Sequence, residues 1–323
     1  MRLSIVVPCY NEEEVLPETL SRLSKLMGEL CDAGEISEDS EMVLVDDGSR
    51  DRTWALIAAG TQSCRWLRGI KLSRNRGHQQ ALLAGLMNAR GDASISVDAD
   101  LQDDLAAIPA MLKAHAAGAE VVYGIRKRRD ADTFFKRVTA EGYYRLLALL
   151  GVEIVFNHAD YRLLGRRALE ALREYREVNL FLRGVIPQLG FNTAQIYYDR
   201  AERFAGESKY PLTKMLALAW QGVTSFSVAP LRMITGLGLL ISLASFAITL
   251  WALAVRLLTD SSVPGWASTV VPIYLLGGIQ LLCLGIIGEY VAKTYVETKR
   301  RPLFHLERDT ADRSVNAALT KEP

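Results

Sequence analysis

The run Leu3-Ser4-Ile5-Val6-Val7-Pro8-Cys9-Tyr10-Asn11-Glu12 is a short β-branched strand that stops at a proline and opens into polar residues. The same grammar recurs downstream. Apolar periodicity predicts a helix over about 12–31, a strand over 42–46, a helix over 51–62 and a strand over 67–72. A helix over 77–88, a strand over 94–98, a helix over 105–117 and a strand over 120–124 follow. Strands alternating with helices predict an α/β domain with a parallel, Rossmann-like sheet covered by helices on both faces. Ligands in such a domain bind at the carboxyl ends of the strands.

Three of those ends carry polar clusters: Cys9-Tyr10-Asn11-Glu12, Asp46-Asp47-Gly48-Ser49 and Asp98-Ala99-Asp100-Leu101-Gln102-Asp103. Each has a plainer reading, since Asp-Gly-Ser is a common turn and Ser49 or Asp51 would cap the next helix. Asp103 and Asp104 likewise suit a helix start. Three clusters on one rim are a stronger signal than any one of them. No Gly-x-Gly-x-x-Gly follows the first strand and no P-loop occurs, so diphosphate charge must be met otherwise. The Asp-Ala-Asp turn suits a hard divalent cation, Mg²⁺ or Mn²⁺, with positions left for phosphate oxygens. Asp100 is the first-choice ligand; Asp98 binds metal through water or holds ribose, and Gln102 adds an oxygen.

The 323 residues carry 38 basic and 37 acidic side chains, a net charge of +1 that excludes a basic surface built for nucleic acid. Mean hydropathy is +0.10, unevenly distributed. No charge occurs from Met233 to Val255 or from Ser261 to Gly288, and each run exceeds the roughly 20 apolar residues needed to cross a bilayer. Two transmembrane helices, at about 233–255 and 267–288, are expected. Arg232 precedes them and Lys293, Lys299, Arg300 and Arg301 follow, which predicts both ends on the cytoplasmic side. No amino-terminal apolar segment resembles a signal peptide, so residues up to about 230 are expected in the cytosol. Cys9, Cys31, Cys64 and Cys283 lack paired or metal-ligand spacing, as expected in a reducing compartment.

These blocks resemble glycosyltransferase family 2, with its GT-A fold. Val6 to Glu13, Val45 to Asp51 and Asp98 to Asp103 carry the resemblance, which continues through Leu72 to Gly77 and Asp160-Tyr161-Arg162-Leu163. Those two blocks, with Arg203 to Tyr210 and Gly288-Glu289-Tyr290, look like the polyprenyl-phosphate sugar transferases, specifically the bactoprenol glucosyltransferase group, relatives of dolichol-phosphate mannose synthase. The resemblance implies that Pro8, Tyr10, Asn11, Glu12, Asp46, Asp47, Arg76, Asp98 and Ala99 hold the nucleotide. It implies that Asp98, Asp100 and Gln102 match the metal and diphosphate motif. It implies an arginine near the reacting phosphates at Arg126, and Arg126, Lys136 and Arg137 as holders of the lipid phosphate. Arg126 and Asp160 are the candidate catalytic residues, Asp160 as either base or orienter. Ala159 and Ala140 depart from the glycine and serine common in those relatives. Lys127, Arg128 and Arg129 read either as a solvated basic loop or as a membrane-docking one.

The expected organisation is a cytosolic GT-A domain over 1–209, an interfacial amphipathic helix region over 210–231, two spans within 232–292 and a cytosolic tail over 293–323. Trp220 and Phe226 suit the interface. Glu289 and Lys293, one turn apart, suit the inner end of the second span. Gly277, Gly278 and Gly285 would permit close helix contact within or between chains, leaving a homo-oligomer open. The expected reaction is inverting transfer of a sugar, glucose as first candidate, from a UDP-linked donor to polyprenyl phosphate at the bacterial plasma membrane. A processive polysaccharide synthase would ordinarily need more spans to form a channel than the two expected here. A non-catalytic, membrane-tethered nucleotide-binding scaffold is the remaining alternative.

Overall fold

The computed structural model describes residues 1–126, 158–175, 177, 182–199, 228–258 and 265–312. Eight strands form one sheet: β1 (Leu3–Cys9), β2 (Glu41–Asp46), β3 (Leu67–Leu72), β4 (Ala93–Ser96), β5 (Val121–Arg126), β6 (His158–Gly165), β7 (Thr193–Tyr198) and β8 (Leu306–Asp309). Their order is β7-β5-β6-β4-β1-β2-β3-β8. Between them run α1 (Leu16–Asp32), α2 (Thr53–Ser63), α3 (His78–Asn88), α4 (Ile108–Ala116), α5 (Arg166–Glu174) and α6 (Leu182–Gln188).

Every residue of β1 and β2 is buried, because helices cover both faces of the sheet. Ile5 and Val7 join Leu16, Leu23 and Met27 of α1 and Met111 of α4 in one core. Val6 points the other way, where α3 offers Ala81, Ala84 and Gly85. A Cβ on Gly85 would overlap the Val6 side chain, so the glycine sets how closely α3 lies on the sheet.

The sheet is mixed rather than wholly parallel. β6 runs antiparallel between β4 and β5, and β8 runs antiparallel beside β3. Neither strand was expected from the sequence. His-Ala-Asp-Tyr-Arg-Leu-Leu-Gly and Leu-Glu-Arg-Asp carry too much charge to read as strands alone. An open backbone edge on β3, and two on β4 and β5, supply the hydrogen bonds that make them strands. Other departures are local. Glu12 to Val15 form a turn before α1, with Pro17 in its first turn, and a 3₁₀ turn at Leu105–Ala107 precedes α4.

The chain order reverses at β1, which pairs with β2 on one side and β4 on the other. The β1–β4 register ends at Val6 and Ser96. Beyond it Pro8 pairs only towards β2, so its missing N–H leaves no gap in the β4 ladder. This divergence opens the crevice where doubly wound sheets bind ligands.

The chain divides into two compact units, and the described residues 228–258 and 265–299 belong to the second. In it lie α7 (Ala229–Leu258) and α8 (Trp266–Thr298). Pro230–Ile248 and Leu275–Thr298 have mean hydropathies of 1.8 and 1.7, and beyond Pro230 none of their described side chains is buried. A core helix of a soluble protein would be covered; these two are long and apolar enough to cross a membrane. The expected interfacial helix falls almost wholly outside the described residues.

Candidate active site

The loops after β1 and β2 are stapled to each other. The Asn11 amide donates to Ser49 Oγ (3.0 Å), and Asn11 Oδ1 accepts from the Arg50 amide (2.9 Å). Glu12 N–H donates to Thr53 Oγ1 (2.9 Å) and Glu13 N–H to Asp51 Oδ2 (3.1 Å). Asp51 Oδ1 also accepts the Thr53 amide (3.0 Å), closing the turn into α2, but the cap position is Arg52 and neither Ser49 nor Asp51 caps the helix. Asn11 has φ +54°, a left-handed conformation that asparagine tolerates. Tyr10 beside it is exposed.

Asp46 and Asp47 are both buried, but they are employed differently. Asp47 Oδ1 accepts the Arg76 amide (2.7 Å) and Oδ2 the Gly77 amide (2.8 Å), so this carboxylate holds the loop after β3. Gly48, at φ +66°, lies against that loop: a Cβ there would sit 2.7 Å from the Asn75 nitrogen. Asp46 Oδ1 accepts the Ser49 amide (3.1 Å), whereas buried Oδ2 has no hydrogen-bond partner among the described residues. Burial pushes the pKa of both carboxyls up. An orphaned buried acceptor at the rim is a place for a ligand's N–H or O–H. Arg76 likewise has a buried Nε without a partner.

The acidic turn follows β4, whose strand ends two residues before Asp98. Ala99 is buried and its carbonyl accepts from Thr19 Oγ1 (2.9 Å). Asp100 Oδ1 accepts the Gln102 amide (3.2 Å). Leu101 has φ +56°, a strained geometry for its side chain, costing about 1–3 kcal/mol where such strain is kept. Asp104 caps the 3₁₀ turn through the Ala106 amide (3.0 Å). Asp103 instead turns inward, accepting from Tyr198 Oη (2.5 Å) and Arg126 Nη2 (3.4 Å). Arg126 also donates from Nε to Tyr198 Oη (3.1 Å).

Burial, with Asp103, Asp160 and Asp100 nearby, pushes the Asp98 pKa up to about 6 against the pull of His78. Such crowding of negative charge is what a divalent cation relieves. Among the described residues no three His, Cys, Asp or Glu side chains form a ready cage. Asp98 and Asp100, with Gln102 adjacent, are the residues on this turn that would hold such a cation. Mg²⁺ and Mn²⁺ accept that kind of site.

Across from this turn stands Asp160. Because β6 is antiparallel, its beginning lies beside the carboxyl ends of β4 and β5, which delivers Asp160 to the rim. Its carboxylate accepts from buried Arg162 Nη2, from Arg183 Nε (3.2 Å) and Nη2 (3.0 Å), and from Gln79 Nε2 (3.3 Å). His78 Nε2 lies 3.5 Å from Asp160 Oδ2 and 3.6 Å from Asp98 Oδ1. Burial opposes the Asp160 charge, yet His78, Arg162 and Arg183 push its pKa below the usual carboxylate range. Burial also opposes a charged His78, but Asp160 and Asp98 outweigh it and raise that pKa.

The fold thus gathers Pro8, Tyr10, Asn11, Glu12, Asp46, Asp47 and Arg76 on one side of the crevice mouth. Asp98, Ala99, Asp100, Gln102, Arg126 and Asp160 lie on the β4–β5–β6 side. Lys136 and Arg137, expected at the lipid phosphate, and the basic run 127–129 lie outside the described residues. Sequence reading gave no site role to His78, Gln79, Arg162, Arg183 or Tyr198, and read Asp103 only as a helix start, whereas its carboxylate turns inward to Tyr198 and Arg126. His78 and Gln79 adjoin a block that was noticed, Leu72 to Gly77. Arg183 and Tyr198 have no local motif, and only tertiary contact marks them.

An open α/β domain whose crevice is lined by carboxylates and anchored arginines is followed by two helices long and apolar enough to cross a membrane. The chain belongs to glycosyltransferase family 2: the model described as Glycosyl transferase family 2 matches residues 4–173. It is therefore a glycosyltransferase, and its α/β domain is of the GT-A class. It is 48% identical over 322 residues to the Bacillus subtilis (strain 168) protein named "Uncharacterized glycosyltransferase YkoT", covering 99% of this chain and 95% of that protein. It is 38% identical to the "Prophage bactoprenol glucosyl transferase homolog" of Escherichia coli (strain K12), covering 95% of this chain and 99% of that one. Identity to the "Bactoprenol glucosyl transferase" of Shigella phage SfV is 37%, covering 96% and 99%.

Proposed function

We propose that this protein transfers a sugar, glucose as first candidate, from a UDP-linked donor to polyprenyl phosphate, with inversion at the anomeric carbon. The observation that carries the reading is His78, within 3.6 Å of both Asp98 and Asp160. It brings the donor-side acidic turn and the arginine-bearing side of the crevice within one side chain of each other. The relatives' names supply the acceptor class. Residues 1–209 would be the catalytic domain on the cytoplasmic face of the bacterial plasma membrane, with 210–231 at the interface. Two spans would lie within 232–292, and 293–323 would return to the cytoplasm.

In the proposed step a lipid-phosphate oxygen attacks C1 of the sugar. The bond from C1 to the donor phosphate oxygen breaks, and the nucleoside diphosphate leaves with the electron pair. A phosphate monoester has a second pKa of about 6, so the nucleophile is largely ionised near neutrality and needs no base. Asp160, held ionised by Arg162, Arg183 and His78, is accordingly an orienter rather than a base. Asp46 Oδ2 is an acceptor for a base or ribose hydrogen, and Arg126 stands near the reacting phosphates. A divalent cation held by Asp98 and Asp100 beside Gln102 would offset the charge of the departing diphosphate. Positioning and electrostatics supply the acceleration.

Purified full-length protein, labelled UDP-sugars and short-chain polyprenyl phosphate, followed by lipid separation, test the reading. One labelled lipid with a β-linked sugar is expected. Polymer would favour a processive synthase, and no product from any donor would leave a nucleotide-binding scaffold.

A further inference from the structure

Asp160 is one negative charge in contact with two guanidinium groups. Arg162, 1% exposed, already neutralises it from within the sheet and is too deeply buried to meet a ligand. Arg183 repeats that neutralisation, yet its side chain is 41% exposed. Its bonds to Asp160 use Nε and Nη2, so the Nη1 edge keeps its donors. A guanidinium held by a carboxylate fork on one edge has lost its rotamer freedom before any ligand arrives.

Arg126 repeats the arrangement. Its Nη2 and Nε are tied to Asp103 and Tyr198, and its side chain is 31% exposed. Two anchored, part-exposed guanidiniums on the same side of the crevice suit a multiply charged oxyanion.

We propose that Arg183 is a substrate-phosphate ligand, aimed by Asp160 and working opposite Arg126. The inference rests on the proposed transfer for the identity of its ligand, a phosphate oxygen of the donor diphosphate or of the acceptor monoester. Asp160 is then the positioning residue for this arginine.

The test uses full-length Arg183→Gln and Arg183→Lys proteins. The KM for each substrate and kcat are measured by lipid-product formation, with UDP binding by calorimetry and thermal unfolding alongside. The glutamine variant is expected to unfold near the wild-type temperature and to lose affinity for one phosphate substrate on the order of tenfold or more. Lysine should restore part of that loss. A raised KM for polyprenyl phosphate with unchanged UDP binding assigns the acceptor; weakened UDP binding assigns the donor. In an Asp160→Asn background, which releases Arg183, affinity should already be reduced and Arg183→Gln should not restore it, because the arginine's task is not to balance Asp160. Unchanged KM values and UDP binding, or a double variant that regains wild-type affinity, would overturn the inference. Absence of product from the wild type would instead remove the proposed transfer.

Discussion

Arg68 and Asp309, 241 positions apart, share a two-bond ion pair: Nε to Oδ1 at 3.0 Å and Nη2 to Oδ2 at 2.5 Å. The pair ties the segment that follows α8 to the sheet edge. Thr310 and Gly69 exchange hydrogen bonds beside it, and the Ser73 amide donates to the His305 carbonyl (3.0 Å). β3 leads directly into the loop whose amides bind Asp47, so the tail supports the Asp47 side of the crevice.

Asp309→Asn should therefore loosen β8, at a cost of ~1–3 kcal/mol for a pair this well covered. Burial opposes the Asp309 charge, but the Arg68 hydrogen bond and the Ala311 amide hold its pKa below the usual value. A depressed carboxyl pKa gives stability that is complete above the unfolded value of ~3.9 and fades as pH falls through the folded value. Amide exchange of β3 and β8 should separate wild type from variant near neutral pH and converge in acid. A difference independent of pH would refute the assignment.

Asp47→Ala removes the acceptor for two loop amides, each such charge-assisted bond being worth roughly 1.5–3 kcal/mol. UDP affinity should drop, with asparagine restoring part of it. Gly48→Ala should act on the same loop through φ strain and a clash with Asn75. Both are checked by calorimetry and thermal unfolding; full UDP affinity in Asp47→Ala would sink the idea.

Asp160 stays ionised through the working pH range, so the pH profile of kcat/KM should contain no limb belonging to it. Asp160→Asn should lose activity by releasing Arg183, and added formate or azide should not rescue it. Chemical rescue, or recovery on raising pH, would restore the general-base role.

Asp100→Ala should abolish Mg²⁺- or Mn²⁺-dependent transfer while the protein remains folded, as circular dichroism would report. Asp98→Asn should weaken metal stimulation too, since it removes a carboxylate held near the divalent charge. Near-normal turnover of Asp100→Ala at limiting metal would displace the site from this turn.

The alternating strands and helices were legible because burial on both faces leaves unbroken β-branched runs such as Ile5-Val6-Val7, and each is bounded by a polar turn. The rim followed from the same pattern, since parallel strands end on one side. β6 and β8 were not legible. Their charged residues acquire strand geometry only from partners distant in sequence, as Asp309 does from Arg68.

The sequence by itself determined the fold class, the three acidic rim clusters and the two apolar helices, because each depends on residues close together in the chain. Tertiary structure decided how the carboxylates are employed. It consumed Asp47 in a loop, left Asp46 Oδ2 open, and locked Asp160 between Arg162, Arg183 and His78. A carboxylate's charge and hydrogen-bond capacity depend on what burial and packing place against it, and those neighbours come from separate strands and helices.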